Sequence, residues 1–544
     1  MKRFFCIKSL LLAVTAQLLG TQPALASSAD RLTATLEARF KQDRTGVCVL
    51  AALVEGSQVS RGRYCARPRV DGGPGADAAF EIGSISKTMT AFLVSDLIAA
   101  GQWSLDDPIA KHLPDGTAVP RQGERQILVR DLLTHSAGLP ALPSRMRSTN
   151  PSNPYADLSE ADLLASLADV QLSRPIGSQA EYSNFGMMVV SLAVARAHGA
   201  DFEKALRSKL FEPLQMNGAF IARAPAGVPQ AQGHLPSGTA TSAWTIKPNL
   251  AGVGMVRATL DDMIKYAQAQ LGGVDTPLRA RLQATHRPLA HGFAMNWAVL
   301  NIPGHQLLVH EGGTGGFSSL LALEPAKQRA LVILADTALT DLGGLGDIGL
   351  ALLDPAVPPS KPRLAATPPP ALRKAILGEY ELAGLNARIF EQDGRLMGQA
   401  EGQPALELLY DSHGDFYPTA VSALLTPVLA DGRVDRFAWR QGGGVLEGVR
   451  KGSQRAPTAT NPLWKDWAGD YQLAPQFSLR VFEADGKLLV QGTGQPAIAA
   501  QVSGTDRIEI KAVGAVVEFK RGASGEVVSV TLLQGGQKLD GKRK

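Results

Sequence analysis

The chain has 544 residues, 45 % of them hydrophobic, and this length exceeds what a single hydrophobic core usually spans, so at least two domains are expected. Its formal net charge is only +5, and the basic residues form no clustered stripe. A nucleic-acid partner is therefore not expected.

The first 26 residues have the pattern of a secretory signal peptide. A basic start is followed by the apolar stretch 7–20 and by Ala24-Leu25-Ala26, which is typical of a cleavage site. The apolar stretch is short for a membrane span of ~20 residues. Cleavage after Ala26 would lower the net charge from +5 to +2, because three basic and no acidic residues leave with the segment. We therefore expect a periplasmic or secreted protein without stable membrane insertion.

Two runs, 47–54 and 58–64, flank Glu55-Gly56-Ser57 and predict a β-hairpin. Cys48 and Cys65 stand at nearly equal distances from this turn, so they would face each other across the two strands. In an oxidising compartment this arrangement predicts a disulfide, and two free thiols are the alternative.

The segment 80–87, FEIGSISK, joins a strand-like end to a helical pattern that continues to about Gly101. Ser84 is therefore expected at a helix N-terminus, with Lys87 one turn further on the same face. A serine hydroxyl needs a neighbouring base to act as a nucleophile, and a helix N-terminus favours negative charge. Ser84 is the candidate nucleophile, its backbone N–H a candidate oxyanion donor, and Lys87 a candidate base. Alone, an S-x-x-K pattern also fits an ordinary helix cap.

A second group, Tyr182-Ser183-Asn184, precedes the apolar helical run 185–195. A tyrosine beside a lysine ammonium is expected to have a pKa below the ordinary value of about 10, because the positive charge stabilises phenolate. Tyr182 would then accept the Ser84 proton and later protonate the leaving group. The amide of Asn184 would orient a substrate carbonyl or hold Lys87. A surface tyrosine next to a helix cap is the alternative.

A third group, His310-Glu311-Gly312-Gly313, lies between the apolar runs 305–309 and 319–323 and is typical of a strand edge. Glycines allow a substrate to approach the backbone closely, and the Gly313 N–H is a candidate second oxyanion donor. His310 is a candidate for binding a substrate carboxylate or for sharing a proton network with Tyr182, and a structural histidine is the alternative. No histidine cluster has metal-ligand spacing, so no metal is expected, and nucleophilic catalysis by Ser84 needs no organic cofactor.

A proline-rich linker at 354–371 separates these groups from a C-terminal part. There, 372–455 and 462–544 repeat one pattern at an offset of 91 or 92 positions. Gly378-Glu379-Tyr380 matches Gly469-Asp470-Tyr471, and Asp393-Gly394 matches Asp485-Gly486. Asp-Gly between alternating runs predicts hairpins, and two copies are too few for a solenoid. Two small antiparallel β-barrels or sandwiches with packing or accessory roles are expected.

Together, S-x-x-K at 84–87, Y-x-N at 182–184 and H-x-G at 310–312 resemble the motifs of the serine β-lactamase and penicillin-binding-protein family. The Y-x-N motif, the order and the spacing are similar to the class C branch. The flanking segments 131–139 and 254–263 look like scaffold segments of that family, so His135 is interpreted as structural. The resemblance covers roughly residues 30–352. It implies an α+β fold at 27–353 of the β-lactamase/DD-peptidase type, with an antiparallel sheet flanked by helices and a helical subdomain.

One departure from the class C pattern concerns the substrate. Where class C β-lactamases have K-T-G, this chain has His310-Glu311-Gly312, and a histidine there is familiar from related D-alanyl carboxypeptidases, D-aminopeptidases and esterases. A lysine is a fixed cation, whereas a histidine titrates near neutrality, so the charge of His310 would depend on pH. This difference argues against efficient β-lactam turnover but not against acylation. The two C-terminal modules also resemble those of the D-aminopeptidase branch.

The sequence therefore predicts an exported serine hydrolase that acts on a small-molecule substrate through a Ser84 acyl-enzyme. Hydrolysis of β-lactam amide bonds is the first interpretation. The second is a D-alanyl-D-alanine carboxypeptidase or D-aminopeptidase acting on cell-wall peptides, and the third is an esterase of the same fold. A cell-wall binding protein is the non-enzymatic alternative, against which Ser84, Lys87, Tyr182 and Asn184 argue because all four are present.

Overall fold

The computed structural model describes residues 27–544 except 69–72, 151, 173, 200, 303, 431, 454–461, 475–476, 485–486, 494–496, 505, 511–514, 523–524 and 535–536. The expected signal peptide, residues 1–26, and the Asp485-Gly486 pair of the second repeat copy lie outside the described residues. No helix within the described ranges combines the length and the apolar character that crossing a membrane requires.

Most helices precede the proline-rich linker. The helices of the described residues are α1 Ser28–Phe40, α2 Ser86–Ala99, α3 Val129–Leu133, α4 Glu160–Ala168, α5 Asn184–Ala197, α6 Phe202–Leu206, α7 Leu260–Leu271, α8 Arg279–Ala284, α9 Gly346–Leu353, α10 Pro370–Ile376 and α11 Pro462–Trp467. Three short 3-10 turns also bear on the site, namely Gly83–Ile85, Pro248–Val253 and Thr340–Leu342.

The strands fall into an N-terminal group and two C-terminal groups. The first group is β1 Cys48–Glu55, β2 Gln58–Cys65, β3 Phe80–Glu81, β4 Arg121–Gln122, β5 Arg125–Gln126, β6 Arg257–Ala258, β7 Ala298–Ile302, β8 His305–Gly313, β9 Ser318–Glu324 and β10 Arg329–Ala335. The second is β11 Ala365–Ala366, β12 Gly378–Leu382, β13 Leu385–Gln392, β14 Arg395–Ala400, β15 Leu406–Asp411, β16 Phe416–Pro418, β17 Leu424–Ala430, β18 Arg433–Gln441 and β19 Gly444–Arg450. The third is β20 Gly469–Ala474, β21 Phe477–Ala484, β22 Lys487–Gly492, β23 Ile498–Ala499, β24 Gln501–Gly504, β25 Arg507–Ile510, β26 Ala515–Arg521, β27 Val527–Gln534 and β28 Gln537–Arg543.

A six-stranded antiparallel sheet with the order β2-β1-β10-β9-β8-β7 lies at the centre of the N-terminal part. Successive side chains of β1 point to opposite faces, as the period of two in a strand requires. Leu50 and Ala52 join the larger apolar core, to which α2, α5 and α7 contribute. Val49 and Ala51 join a smaller core with α1 and α9. Helices therefore cover the sheet on both faces.

The expected N-terminal hairpin consists of β1 and β2 and turns at Gly56. The φ of Gly56 is 59°, a conformation that favours glycine. Cys48 lies directly opposite Cys65 in this register, and a disulfide joins the two residues. Because β2 is the outermost strand, the disulfide ties the edge of the sheet to its interior.

Helix α2 runs through the larger core, and every residue from Ser86 to Leu97 is buried. A helix in that position needs apolar residues all round rather than on one stripe. Ser84 lies in the 3-10 turn Gly83–Ile85 immediately before α2. The predicted helix start near Ser84 is therefore confirmed, with one tighter turn added in front of the helix.

The C-terminal part forms barrels rather than open sandwiches. In the first barrel, strands follow the order β15-β14-β13-β12-β19-β18-β17-β16, and β15 also pairs with β16, so the ring closes. In the second barrel, the order runs from β23 through β22, β21, β20, β28, β27, β26 and β25 to β24. Its two end strands are consecutive along the chain, and the second ring is nearly closed.

The repeated sequence blocks occupy equivalent positions in the two barrels. Tyr380 in β12 and Tyr471 in β20 are both fully buried. Each phenol donates a hydrogen bond of 2.7 Å to a backbone carbonyl four residues earlier, Tyr380 to Ile376 and Tyr471 to Trp467. The repeat in the sequence is therefore also a repeat of local structure.

Candidate active site

Lys87 lies at the centre of the candidate site. Its Nζ is 2.8 Å from Ser84 Oγ, 2.8 Å from Asn184 Oδ1 and 2.6 Å from the carbonyl oxygen of Val253. Burial lowers the pKa of Lys87 well below its ordinary value. Nζ donates to all three oxygens when it is protonated; when it is neutral, it keeps two donors for Asn184 and Val253, and its lone pair can accept the Ser84 hydroxyl hydrogen.

Three elements bring these groups together. Helix α2 places Lys87 one turn beyond Ser84, and Asn184 is the first residue of α5. The α5 N-terminus is capped by Ser183, whose side chain accepts a hydrogen bond from the Gly186 N–H. The carbonyl of Val253 ends the 3-10 turn Pro248–Val253. The amine of Lys87 is therefore held between two helix starts and a turn that lies far away in the sequence.

Tyr182 lies next to the amine, with its ring centroid 4.9 Å from Lys87 Nζ. Loss of water around the phenol raises the pKa of Tyr182, although a hydrogen bond with Ser84 lowers it and 42 % of the residue remains exposed. The prediction of a lowered pKa is therefore wrong. Lys87 is itself buried and favours its neutral form, so it does not supply the fixed charge that would stabilise a phenolate. Tyr182 is a protonated phenol at neutral pH.

His310 lies on β8 and is 8 % exposed. Its Nδ1 is 2.8 Å from the backbone carbonyl oxygen of Glu311 and donates to it, so Nε2 is an acceptor. Burial is the largest cause that lowers the pKa of His310, to about 3. The prediction of a charge that changes near neutrality is therefore wrong. A protonated ring would be buried without its hydration, so His310 stays neutral.

Glycines let β8 approach the Ser84 turn. Gly83 has a φ of 50°, and a Cβ built on it would lie 2.6 Å from Gly313 N. A Cβ on Gly312 would overlap the carbonyl oxygen of Ile82. Larger residues at these positions would push the strand and the turn apart. The backbone N–H groups of Ser84 and Gly313 therefore belong to two segments in direct contact, as an oxyanion hole requires.

His135, which the sequence analysis interpreted as scaffold, contacts the candidate site directly. Its ring centroid lies 4.4 Å from that of Tyr182, with the planes 35° apart. Its Nδ1 accepts a hydrogen bond from the Ser183 N–H at 3.3 Å, and its carbonyl oxygen accepts one from the Glu181 N–H at 2.8 Å. The φ of His135 is 56°, which is rare for a residue other than glycine. Burial lowers the pKa of His135 far below its ordinary value, so a neutral ring supports Tyr182.

The sequence analysis missed two aromatic residues near the site, Tyr155, which forms a hydrogen bond with Asn184, and Trp244, which packs against Tyr155. Tyr155 is 7 % exposed; burial raises its pKa to about 12, and a hydrogen bond with Asn184 lowers it. The ring of Trp244 lies 5.3 Å from that of Tyr155 in a T-shaped arrangement, and its indole Nε1 donates to the carbonyl of Ser152 at 3.0 Å. Both aromatic residues lie in irregular segments, where no periodicity marks them.

The structure thus brings most of the predicted site residues together and leaves two of them outside the site. Ser84, Lys87, Tyr182 and Asn184 meet around one amine, and His310, Gly312 and Gly313 lie on the adjoining strand β8. Cys48 and Cys65 belong elsewhere, because β10 and β9 separate β1 from β8. Within the described ranges, no three His, Cys, Asp or Glu side chains approach one another as metal ligands would.

Comparison with known families places most of the N-terminal part in one family. The family model described as Beta-lactamase matches residues 32–352, which is more than half of the chain. The matched range contains all the candidate site residues and ends before the two barrels.

Individual relatives are distant but match much of their own length. A beta-lactamase of Escherichia coli (strain K12) is 26 % identical over 295 residues, which cover 47 % of this chain and 75 % of that protein. The D-alanyl-D-alanine-carboxypeptidase/endopeptidase AmpH of the same organism is 25 % identical over 326 residues, covering 56 % of this chain and 82 % of that protein. The solved structure of a class C beta-lactamase aligns with a TM-score of 0.51 at 19 % identity, covering 60 % of this chain and 95 % of the other, and shows a shared fold.

Proposed function

Because this chain belongs to the beta-lactamase family, we propose that it is an exported serine hydrolase that cleaves β-lactam amide bonds through a Ser84 acyl-enzyme. The contact of 2.8 Å between Lys87 Nζ and Ser84 Oγ carries the proposal. An amine with a lowered pKa at this distance turns a weakly nucleophilic hydroxyl into an effective nucleophile. The beta-lactamase among the relatives supports the choice of substrate.

In acylation, Ser84 Oγ attacks the carbonyl carbon while its proton passes to Lys87 Nζ. The new ammonium donates hydrogen bonds to Asn184 and Val253. The carbonyl oxygen takes the electron pair and accepts hydrogen bonds from the N–H groups of Ser84 and Gly313. When the intermediate collapses, the C–N bond breaks and the leaving nitrogen takes the proton of Tyr182. A proton from the Lys87 ammonium then restores the phenol.

Deacylation follows the same path with water in place of the leaving nitrogen. The water attacks the ester carbon and loses one proton to the neutral Lys87. The ester C–O bond then breaks, Ser84 regains its proton, and the acid product departs. This cycle assigns the base to Lys87 and the acid to Tyr182, because burial lowers the pKa of the first and raises the pKa of the second. It replaces the expectation that Tyr182 takes the Ser84 proton.

His135 and His310 act on the geometry of this cycle. The ring of His135, which packs against that of Tyr182, and its two hydrogen bonds to the chain at 181–183 hold Tyr182 in place. The free acceptor Nε2 of His310 suits an N–H or O–H group of the substrate or of Tyr182, whose ring centroid is 6.5 Å away. Neither histidine supplies a positive charge at neutral pH.

Export and the division of the chain belong to the same proposal. The basic and apolar pattern of residues 1–26 and the Cys48–Cys65 disulfide support a periplasmic or secreted protein, since disulfides persist in oxidising compartments. The grouping of strands supports a hydrolase domain at 27–353, a linker at 354–371 and β modules at 372–455 and 462–544.

The neutral state of His310 favours a second candidate. A buried imidazole with a pKa of about 3 offers no positive charge to a substrate carboxylate. A D-aminopeptidase recognises the amine end of its substrate, and a simple ester carries no carboxylate. Neither substrate therefore requires a positive charge at His310. The second candidate is therefore an aminopeptidase of D-amino-acid peptides or an esterase.

The proposal is tested by turnover of four compounds by the purified mature protein. Benzylpenicillin, a D-alanine p-nitroanilide, an acylated D-Ala-D-Ala peptide and p-nitrophenyl acetate represent the competing activities. We expect hydrolysis of benzylpenicillin that Ser84→Ala abolishes. Hydrolysis of only the anilide or the acetate, again lost in Ser84→Ala, would instead support the second candidate. Turnover that Ser84→Ala retains would contradict both candidates.

A further inference from the structure

One of the oxygens that contact Lys87 is a backbone carbonyl, so its position depends on whatever fixes the surrounding chain. The carbonyl oxygen of Val253 lies 2.6 Å from Lys87 Nζ, the shortest of the three contacts of that amine. Val253 ends the 3-10 turn Pro248–Val253, of which residues 250–253 are buried. The groups that hold this turn therefore also place an oxygen beside the proposed base.

Both backbone groups of Gly252, the residue before Val253, are bound to buried hydroxyls. The Gly252 N–H donates a hydrogen bond of 2.9 Å to Ser191 Oγ, and its carbonyl oxygen accepts one of 2.8 Å from Thr90 Oγ1. Ser191 Oγ donates a hydrogen bond of 2.7 Å to the carbonyl of Asn249. Thr90 and Ser191 are fully buried, so water does not compete for these contacts. The backbone that leads into Val253 is thus held at two points.

The two hydroxyls belong to the helices that already supply site residues. On α2, Thr90 follows Lys87 by three positions, and on α5, Ser191 follows Asn184 by seven. Residues three or seven positions apart lie on the same face of a helix. Each helix therefore carries a group that contacts or is the amine and, further along the same face, a hydroxyl that holds the turn.

Glycine at position 252 lets the two hydroxyls reach the backbone. A Cβ built there would lie 2.6 Å from Phe202 Cζ, 2.6 Å from Thr90 Oγ1 and 2.8 Å from Ser191 Oγ. Thr90 Oγ1 also lies 3.1 Å from the carbonyl oxygen of Ser86, a longer contact than the one to Gly252. The hydroxyls therefore act on the turn directly, without an intervening side chain.

We propose that Thr90 and Ser191 are positioning residues for acylation, because they fix the backbone carbonyl that stabilises the ammonium formed on Lys87. The inference rests on the proposed function, in which Lys87 takes the Ser84 proton. Without the hydroxyls, the carbonyl of Val253 would lie further from the amine on average, and the ammonium would be less stable. Two consequences are measurable: the pKa of Lys87 falls, and the proton transfer from Ser84 becomes slower.

Other titratable groups also surround the amine. The ring centroid of Tyr182 lies 4.9 Å from Lys87 Nζ, and His135 and His310 lie within electrostatic range of it. The hydrogen bonds of the Thr90 hydroxyl go to backbone carbonyls rather than to these groups. A change in the pH profile after removal of this hydroxyl therefore reports the carbonyl and not a lost contact with a neighbouring acid or base.

The test measures how fast a fluorophosphonate labels Ser84 between about pH 4 and pH 10. In this reaction Ser84 Oγ bonds to phosphorus, the P–F bond breaks, fluoride departs, and the Ser84 proton passes to Lys87. Fluoride leaves without taking a proton from Tyr182, so the rate reports the step that Lys87 performs. The probe has no lactam or peptide, and its reaction is therefore independent of the substrate class.

Thr90→Val keeps the shape of the side chain and removes its hydroxyl. We expect the midpoint of the pH profile to fall by about one pH unit, which corresponds to an about tenfold less stable ammonium, and the plateau rate to fall about three- to tenfold. Ser191→Ala should change both in the same directions, and Thr90→Ser should restore both. The matched control is Thr88→Val, which removes another fully buried hydroxyl of α2, one that lies 2.9 Å from the Tyr266 phenol and should not affect the profile.

The inference would be overturned by wild-type midpoints and plateau rates in both Thr90→Val and Ser191→Ala. Equal shifts in Thr88→Val, or a Thr90→Ser variant that behaves like Thr90→Val, would overturn it as well. Unfolding temperatures measured on the same samples identify a variant that has lost its fold. A wild type without label on Ser84 would overturn the proposed function itself, whereas labelled Ser84 with unchanged variants would overturn this inference alone.

Discussion

At the scale of single residues, the chemistry depends on which groups lose water. Burial lowers the pKa of Lys87 and of His310 and raises the pKa of Tyr182. These directions favour the neutral form of all three groups before the substrate arrives, so that charge develops when Ser84 transfers its proton. The oxygens of Asn184 and Val253 are already in place to stabilise the ammonium that forms, so little reorganisation is needed.

The pH dependence of acylation follows from these directions. Because neutral Lys87 is the base, the acylation rate should be present above the pKa of Lys87 in the folded protein and should fall as the pH drops through it. His310, with a pKa of about 3, should add no transition above about pH 5. His310→Gln should therefore keep the midpoint of the wild type, measured by stopped-flow acylation between about pH 5 and pH 9. A midpoint that moves in His310→Gln would assign the transition to His310.

Removal of Lys87, the proposed base, should lower the acylation rate far more than removal of His310. We expect Lys87→Ala to lower the acylation rate by about 10²–10⁴-fold, the usual contribution of a general base. The matched control is Lys41→Ala, which removes an exposed lysine paired with Glu37 on the surface and should leave the rate unchanged. Comparable rates for Lys87→Ala and Lys41→Ala would contradict the role of Lys87.

The role of Tyr182 as an acid is tested by the leaving group. Tyr182→Phe should slow cleavage of an amide by about 10²–10⁴-fold, because the leaving nitrogen needs a proton. The loss should be much smaller for a p-nitrophenyl ester, whose leaving group departs as a stable anion. Steady-state rates on the two substrates measure the difference. Equal losses on amide and ester would instead indicate that Tyr182 acts before the leaving group departs.

At the scale of elements, the site depends on the close contact between β8 and its neighbours. Gly313 has no room for a side chain, because a methyl group would overlap Thr340 Oγ1. Gly313→Ala should therefore displace the end of β8 and reduce kcat. The same methyl group would lie 3.6 Å from Thr340 Cβ, an ordinary contact. Gly313→Ala/Thr340→Ala should thus recover most of the lost kcat, and a double variant as slow as the single one would contradict the steric explanation.

Local patterns predicted the elements that are local in the chain. Helical spacing after Ser84 predicted α2, and the symmetric positions of Cys48 and Cys65 predicted the pairing of β1 with β2. The carbonyl of Val253 was not predicted, because it meets Lys87 across 166 positions of sequence. His135 was assigned to the scaffold because the segment 131–139 resembles a scaffold segment of the family. Its contact with Tyr182 depends on a left-handed backbone conformation that no periodicity in the sequence marks.

The directions of the pKa shifts could not be predicted from the sequence for a different reason. They depend on how much water reaches each group, and the sequence contains no measure of that. A lysine next to a tyrosine suggested an ammonium that lowers the phenol pKa. In the folded chain Lys87 lies fully buried in the first turn of α2. Burial lowers its pKa and raises that of Tyr182, so Lys87 rather than Tyr182 is the proposed base and Tyr182 is the proposed acid.

At the scale of the whole molecule, buried charges join the hydrolase part to the first barrel. Asp411 is fully buried and pairs with both Arg44 and Arg363 at 3.0 Å. Asp411→Asn would leave two buried guanidinium groups with one carboxylate fewer, a change that typically costs about 3–5 kcal/mol. We expect a lower first unfolding transition in calorimetry and faster proteolysis within 354–371.

The matched control for Asp411 is an exposed pair in the same barrel. Glu391 is 46 % exposed and pairs with Arg373 at 2.7 Å. Glu391→Gln should change stability by less than about 1 kcal/mol, as exposed ion pairs usually do. Equal effects of Asp411→Asn and Glu391→Gln would show that the interface does not depend on the buried charges.

The sequence predicted that there are two β modules, but not that the strands of a module close into a ring. Repeated Asp-Gly turns and alternating runs indicated two antiparallel β modules, and the buried Tyr380 and Tyr471 confirm that the copies correspond. Whether such strands close into a ring depends on a single pairing between β15 and β16, which no repeat in the sequence specifies. The attachment of the first barrel through Asp341, which accepts hydrogen bonds from Ser422 and Gly443, likewise joins residues about 80–100 positions apart.

The central claim is that Ser84 forms a covalent acyl-enzyme, and intact-mass spectrometry during reaction with excess benzylpenicillin tests it most directly. We predict an adduct with the mass of the whole drug, located on Ser84 by peptide mapping, absent from Ser84→Ala, and decaying as hydrolysed drug accumulates. An adduct that persists would retain the acyl-enzyme and favour a penicillin-binding peptidase. An adduct of equal amount on Ser84→Ala, or none with benzylpenicillin and none with an activated ester, would contradict the account.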